Sequence, residues 1–421
     1  MKNQPQQTIN FSSHLTHKGN LKNTRYGWLR LTPAYSVHLV SSLLDTHQEK
    51  YPVILDPFCG TGTTALVCAQ KGIESDTTDI NPFLTWLTRT KTKSYKTEEI
   101  ETFRQISNLV VERMLASEQQ TVWIPPLHQI EKWWDEHTLG LLSCAMHTIN
   151  TVEKSISENV VDLLKITFCR LLIDRANISF GHQSMSFKKN RNSTLPLLQL
   201  LEDETILSWK QAVSTISDTA YSQVISQPQV LLCDARNLST KLEPNRYTCV
   251  ITSPPYPNRM SYIRELRPYM YWLGYLQNAR DAGVLDWKAI GGTWGCATSN
   301  VGKWNPEYEM KIPYEDFYEI INKIAQKSEL LSRYIHKYFY DMVQHSEELF
   351  QVVRPGGFIH YVVGNSKFYD VVLPVESIFA RLFESVGFIS VSIRTIRKRT
   401  SKKELFEFVV SAQKPIGGGL S

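Results

Sequence analysis

Two short strand candidates, joined by a glycine turn and a helix, constrain this chain more than any other feature. Residues 51–55 run to Asp56. The turn Asp56-Pro57-Phe58-Cys59-Gly60-Thr61-Gly62-Thr63-Thr64 follows, residues 64–71 have helical character ending at Gly72, and residues 73–78 run to Asp79. Strand, tight turn, helix and strand in so short a span open an α/β unit with a parallel sheet. Glycines in such a turn let the backbone approach a ligand at a helix N-terminus. Gly60 to Ala65 satisfies the dinucleotide pattern GxGxxG/A, a weak signal alone, and the absence of a following lysine excludes a phosphate-loop ATPase. Asp79 sharpens it, because an acid at the end of the next strand can accept both hydroxyls of a ribose. A nucleoside-bearing cofactor is the expectation.

A second segment narrows the chemistry. Thr252-Ser253-Pro254-Pro255-Tyr256 follows the apolar run 247–251. It therefore belongs at a strand's C-terminal end, where open α/β sheets place ligands. Two consecutive prolines keep the backbone extended and donate no hydrogen bond, leaving carbonyl oxygens for a pocket. Ser253 adds a hydroxyl acceptor and Tyr256 an aromatic face, a set suited to an exocyclic amino group on a planar base. A surface segment binding a partner in the polyproline conformation is the plainer alternative. Its position directly after an apolar strand argues against that.

The chain has 421 residues, enough for two or three domains of roughly 150 residues each. With 42% hydrophobic residues it can bury a sizeable core. No apolar stretch approaches the roughly 18 residues that span a bilayer, and the first residues lack the apolar centre of a secretory signal, so a cytoplasmic protein without membrane contact is expected. Seven scattered cysteines with no CxxC pair suit neither a disulfide framework nor a structural zinc site, and no metal is expected. Lys and Arg number 46 against 41 Asp and Glu, a net +5. Arg394, Arg397, Lys398, Arg399, Lys402 and Lys403 face the single acid Glu404, so this one segment carries an excess equal to the whole. It reads as a polyanion surface or a solvated hairpin face.

Helical spacing from about residue 97 to 226 (Ile106, Val110 and Met114, then Val160, Leu163 and Leu164) marks a mostly helical insertion, taken as 101–228. It separates an N-terminal part of the core, 1–100, from a C-terminal part, 229–421. Within the first part, Thr32-Pro33 reads as the start of a helix reaching Leu44. Within the second, 229–234 and 247–251 are strands and 277–315 is an irregular region. A helix covers about 334–352, Arg354-Pro355-Gly356-Gly357 turns into a strand at 358–363, and two β-like runs close the chain around the basic turn. Trp123, Trp133 and Trp134 fit core packing or a seam better than a stacking platform.

Together, the glycine turn, Thr78-Asp79-Ile80-Asn81-Pro82 and Thr252-Ser253-Pro254-Pro255-Tyr256 resemble the S-adenosylmethionine-dependent DNA amino-methyltransferases of the N4-cytosine type. The resemblance covers about 24–95 and 229–413. It implies a Rossmann-like class I methyltransferase sheet, mostly parallel, with an antiparallel C-terminal hairpin. Asp56, Phe58, Gly60 and Gly62, with Thr61 and Thr63, would line the methionine part of the cofactor, and Thr32 lies in the stretch implied to close over it. Asp79 would hold the ribose, Ile80 pack on the adenine and Asp234 reach its amino group. Ser253 and Pro254 would accept the two amino hydrogens of the target base, and Tyr256 would stack on that base once rotated out of duplex DNA. Arg259, Arg264, Arg397, Lys398, Arg399, Lys402 and Lys403 are the expected DNA contacts. A restriction endonuclease acting on the same site is the implied companion.

The glycine turn precedes the Ser-Pro-Pro-Tyr motif, whereas many N4-cytosine enzymes have the permuted order. The region reading the DNA sequence is left open between the helical insertion, with Lys188, Lys189 and Arg191, and 277–315. No Pro-Cys dipeptide occurs, which excludes C5-cytosine methylation. N6-adenine or RNA amino-methylation keeps the cofactor with another acceptor. A non-catalytic nucleic-acid-binding scaffold is the alternative of another class, and a nicotinamide oxidoreductase would leave the Ser-Pro-Pro-Tyr loop unexplained.

Overall fold

The computed structural model describes residues 20, 24–29, 31, 35–46, 52–116, 123–179, 186–188, 197–258, 261–292, 296–306, 310–399 and 404–417. Seven strands form one sheet: β1 (Val53–Asp56), β2 (Glu74–Asp79), β3 (Gln229–Leu232), β4 (Tyr247–Thr252), β5 (Val353–Gly364), β6 (Ile389–Lys398) and β7 (Phe406–Gln413). Their spatial order is β6-β7-β5-β4-β1-β2-β3. β1 pairs in parallel with β2 and β4, β2 with β3, and β4 with β5. β7 alone runs against its neighbours β5 and β6. This order with one reversed strand near the edge is the class I methyltransferase sheet. Its switch point lies between β1 and β4, where the chain, having built outward through β2 and β3, returns to the other side of β1.

Period-two alternation assigns the two faces. Ile54, Cys249, Ile251, Val362 and Val409 join the helices Val37–Asp45 and Thr63–Lys71 on one side. Leu55, Val250, Ile359, Tyr361 and Val410 pack on the other with Glu329–Val352 and Val375–Ser385. β4 is buried along its whole length, as a central strand covered on both faces must be.

Between β2 and β3 the chain runs through Pro82–Thr92, Thr97–Ala116, Glu136–Val152, Glu158–Asp174 and Leu197–Ala220, where one crossover helix would suffice. These helices share an apolar cluster with Tyr262–Trp272, the helix after the Ser-Pro-Pro-Tyr loop. At that seam Trp134, Phe168 and Trp123 set their rings 5.4–6.1 Å from the Trp272 ring, edge to face. The Arg267 guanidinium lies over Trp133. The helical segment thus packs directly behind the loop.

Three local expectations differ from the structure. The first helix begins at Val37, after Ser36, and Thr32-Pro33 lie outside the described residues. Region 277–315 is not irregular: it holds helices Ala279–Lys288 and Cys296–Lys303, the first closed by a capping box between Asn278 and Asp281. Residues 354–357 do not precede the strand but belong to β5, which already pairs Val353 with Tyr247 before a register shift. Gly356 at φ +80° absorbs that irregularity.

Candidate active site

The C-terminal ends of β1, β2 and β4 open on one cavity. At the end of β1 the turn is drawn onto β2 by the Cys59 amide donating to the Thr78 carbonyl at 2.8 Å, and it closes on itself through Gly62 N–H to the Cys59 carbonyl at 2.7 Å. Gly60 and Thr61 face the cavity. Gly62 does not. It caps Thr63–Lys71 at φ +76°, and a Cβ there would stand 2.8 Å from Thr88 Oγ1, so this glycine serves the approach of two helices. Thr63 is buried beside it and also lies off the cavity. From beneath, Lys91 donates from Nζ to the Thr61 carbonyl at 3.0 Å, and burial lowers this lysine to about 7.

Asp56 is buried under the turn instead of lining the cavity. Its Oδ1 accepts from Thr252 Oγ1 at 2.6 Å and from the Phe58 amide at 3.2 Å, and its Oδ2 accepts from the Tyr35 hydroxyl at 3.2 Å. Burial raises it to about 7 against these donors. It ties β1, β4 and the chain before the first helix together.

Asp79 reaches the cavity wall. Oδ1 accepts the Asn81 amide at 2.9 Å, and Oδ2 accepts the Gly60 amide at 3.1 Å and the Cys59 thiol at 3.8 Å. Desolvation raises it to about 6, against those amides. Ile80 and Phe58 give the cavity apolar walls. The Phe58 ring rests on His345, 4.8 Å between centroids. His345 Nδ1 lies 2.8 Å from the Ala235 carbonyl, so it carries the proton, and Nε2 accepts from the Tyr361 hydroxyl at 2.6 Å. Burial depresses this histidine to about 4, keeping it neutral. Asp234 also lines the cavity, but its carboxylate is gripped by Arg236 through Nε at 3.1 Å and Nη2 at 2.7 Å. Burial works upward on Asp234, and Arg236 outweighs it, holding the acid below its ordinary range.

Across the cavity stands the loop after β4. Ser253 Oγ donates to the Val362 carbonyl of β5 at 3.1 Å, which orients its lone pairs. The Pro255 carbonyl accepts from the Tyr338 hydroxyl at 2.7 Å, whereas that of Pro254 accepts no hydrogen bond among the described residues. The Tyr256 ring fills the place of a side chain at Gly364, where a Cβ would lie 3.0 Å from it, and the Arg399 guanidinium lies 6.0 Å from its centroid. Ser253, Pro254, Pro255 and Tyr256 line the same cavity as Phe58, Gly60, Thr61, Asp79, Ile80 and Asp234.

The expected DNA contacts scatter. Arg264 is exposed on the first turn of Tyr262–Trp272 and Lys398 at the end of β6. Arg399 is turned inward toward Tyr256 and the Asn365 carbonyl, and Arg397 is paired with Glu407 on the cavity wall. Arg259, Lys402 and Lys403 lie outside the described residues, as do Lys189 and Arg191. Cavity residues missed from sequence are Tyr262, Ile263, Glu265 and Leu266 on the helix after the loop, together with Glu407. The Asn278/Asp281 capping signal was available for the neighbouring helix. No group of three metal-ligating side chains occurs among the described residues, and no helix among them is long and apolar enough to cross a membrane.

No family model matches the chain. It is 22% identical over 403 positions to the type II methyltransferase M.AvaI of a Nostoc strain, covering 89% of this chain and 81% of that protein. It is 22% identical over 447 positions to the type II methyltransferase M.BsoBI of Geobacillus stearothermophilus, covering 94% and 84%. Among solved structures, a SAM-dependent methyltransferase from Methanosarcina mazei aligns at 10% identity and a TM-score of 0.33, covering 92% of this chain and all of that one.

Asp79 is expected to make ligand affinity depend on pH. A ribose hydroxyl donates best to the ionised carboxylate, which is lost as pH falls through about 6. Nucleoside-cofactor affinity measured by calorimetry is therefore expected to weaken severalfold between pH 7.5 and 5.5. Asp79→Asn should bind more weakly at neutral pH and lose most of that slope. An unchanged slope in the variant would assign it to another group.

Proposed function

We propose that this chain is an S-adenosylmethionine-dependent DNA methyltransferase that modifies the N4 amino group of cytosine in duplex DNA, as the modification enzyme of a restriction system. One observation carries the reading: the Gly60–Asp79 wall and the Ser253–Tyr256 lip face each other across a single cavity at the sheet's switch point. The names of the type II methyltransferase relatives support the methyltransferase part of the reading, and the Ser-Pro-Pro-Tyr motif carries the choice of cytosine N4.

The residues fit the cofactor. Asp79 offers a carboxylate on the wall of a desolvated site, Ile80 and Phe58 offer apolar faces, and Gly60 exposes main chain that no side chain covers. Phe58, Gly60, Thr61, Asp79 and Ile80 would hold S-adenosylmethionine, which supplies a methyl group on a good leaving sulfur. The protein's task is then to prepare the acceptor. The cytosine amino nitrogen is a poor nucleophile because its lone pair is delocalised into the ring. With Ser253 Oγ and the Pro254 carbonyl accepting its two hydrogens, the nitrogen turns toward tetrahedral geometry and frees that lone pair. Tyr256, braced by Gly364 and Arg399, supplies a stacking face for a base taken out of the duplex. Exposed Arg264 and Lys398 are placed for phosphates.

The test is to incubate the protein with unmodified DNA and labelled S-adenosylmethionine, then digest the DNA to nucleosides. N4-methylcytosine is the expected product. N6-methyladenine alone, or no methylated nucleoside, overturns the reading.

A further inference from the structure

One basic residue of the C-terminal hairpin, Arg397, is held by a carboxylate on the cavity wall. Arg397 lies directly across from Glu407 in the β6–β7 ladder, and Glu407 lies across from Gly364 of β5. Cross-strand partners project to the same face. The row Arg397, Glu407 and Gly364 therefore runs along one face of the sheet and ends where the Tyr256 ring occupies the space above Gly364. A register shift between Thr395 and Arg397 marks a β-bulge, and both Ile396 and Arg397 line the cavity, a re-aiming that bulges produce beside active sites.

The ion pair is bidentate: Arg397 Nε to Glu407 Oε2 at 2.5 Å and Nη2 to Oε1 at 2.9 Å. One edge of the guanidinium is thereby occupied and its plane fixed. The other edge, with Nη1 and the second Nη2 hydrogen, has no partner among the described residues. A guanidinium edge presents two parallel donors to two adjacent acceptors. Cytosine carries such a pair, N3 and O2, next to its amino group. Adenine carries a single ring nitrogen, N1, flanked by a C–H.

We propose that Arg397, oriented by Glu407, is the specificity-determining residue that selects cytosine over adenine in this cavity by donating to N3 and O2 of the displaced base. The inference rests on the reading of the chain as a base-amino methyltransferase and adds the residue that recognises the ring. Glu407 is a positioning residue. It neutralises the cation and fixes which edge faces the base, so that a phosphate has less hold on Arg397 than on an unpaired arginine.

The experiment uses the full chain and duplexes carrying its own modified site, mapped from the wild-type product, with either cytosine or adenine at the target position. Arg397→Met is expected to lower kcat/KM on the cytosine duplex by about ten- to a hundredfold. It should leave activity on the adenine duplex within about twofold, so the cytosine-to-adenine ratio collapses. Glu407→Gln should shift the ratio in the same direction by less. The double variant Arg397→Met/Glu407→Leu removes the unpaired carboxylate, and its melting temperature and S-adenosylmethionine affinity should stay near wild type while discrimination remains lost. Overturning results are an unchanged ratio in Arg397→Met, or a loss accompanied by a flatter salt dependence and equal on both duplexes, which would make Arg397 a phosphate contact. Wild-type product carrying N6-methyladenine overturns the underlying reading as well, and that outcome is seen before any variant is made.

Discussion

Ser253→Ala is expected to slow methyl transfer by about two to three orders of magnitude, while S-adenosylmethionine affinity changes by less than about twofold. The hydroxyl donates to the Val362 carbonyl at 3.1 Å, so its hydrogen is turned to the sheet and its lone pairs are left as acceptors. That arrangement makes Ser253 an acceptor by construction, already oriented before a base arrives. Alanine removes the acceptor without enlarging the cofactor side, which is built from β1 and β2. The substitution also leaves the Val362 carbonyl short of a partner, at a cost of about 1 kcal/mol, small enough for the fold to survive. Single-turnover transfer and calorimetric binding on the same preparation separate the effects. Equal losses in both would mean that Ser253 supports the cavity and does not serve the acceptor.

What the sequence disclosed and what it hid divide along a physical line. Gly60, Asp79 and Ser253 were legible because local chain grammar places them: a glycine turn after an apolar strand, an acid at the next strand's end, a proline pair after a third. β1 and β4 were legible for the same reason, through apolar runs bounded by turn residues, whereas β2, Glu74–Asp79, has no apolar run and was legible only from its place between Gly72 and Asp79. Gly62 was misread because its need for glycine arises from Thr88, a contact with another helix that no local pattern announces. Asp56 carries the same lesson: the acid is there, but Tyr35 and Thr252 bury it below the surface that meets a ligand. The helix Tyr262–Trp272 was hidden by Pro268 in its middle, a breaker in local terms. Glu407, as the partner of Arg397, exists only through the register of two strands, and a count of basic residues sees six cations and misses the pairing that gives one of them a different task.

A contact between distant segments also sets a large stability effect, at Arg25. Arg25 is 1% exposed and donates to no carboxylate among the described residues. Its guanidinium donates instead to five backbone carbonyls: Lys91 and Lys93 at the end of Pro82–Thr92, and Thr219, Ala220 and Ser222 at the end of Leu197–Ala220. Both helices thus direct the negative ends of their dipoles at one cation, which Trp28 and Tyr95 cover with ring faces 5.4 and 5.3 Å away. Desolvation lowers Arg25 to about 10, still well above neutrality, so the charge persists at every working pH. The last helix of the helical segment is thereby tied to the helix that follows β2 and flanks the glycine turn. Arg25→Met keeps the length and the apolar contacts but strands those carbonyls, and should destabilise the protein by about 3–5 kcal/mol. Arg25→Lys, with a charge but no fork, should fall between. The urea midpoint measures both, and a methionine variant within about 1 kcal/mol of wild type would mean that water satisfies those carbonyls as well as the guanidinium does.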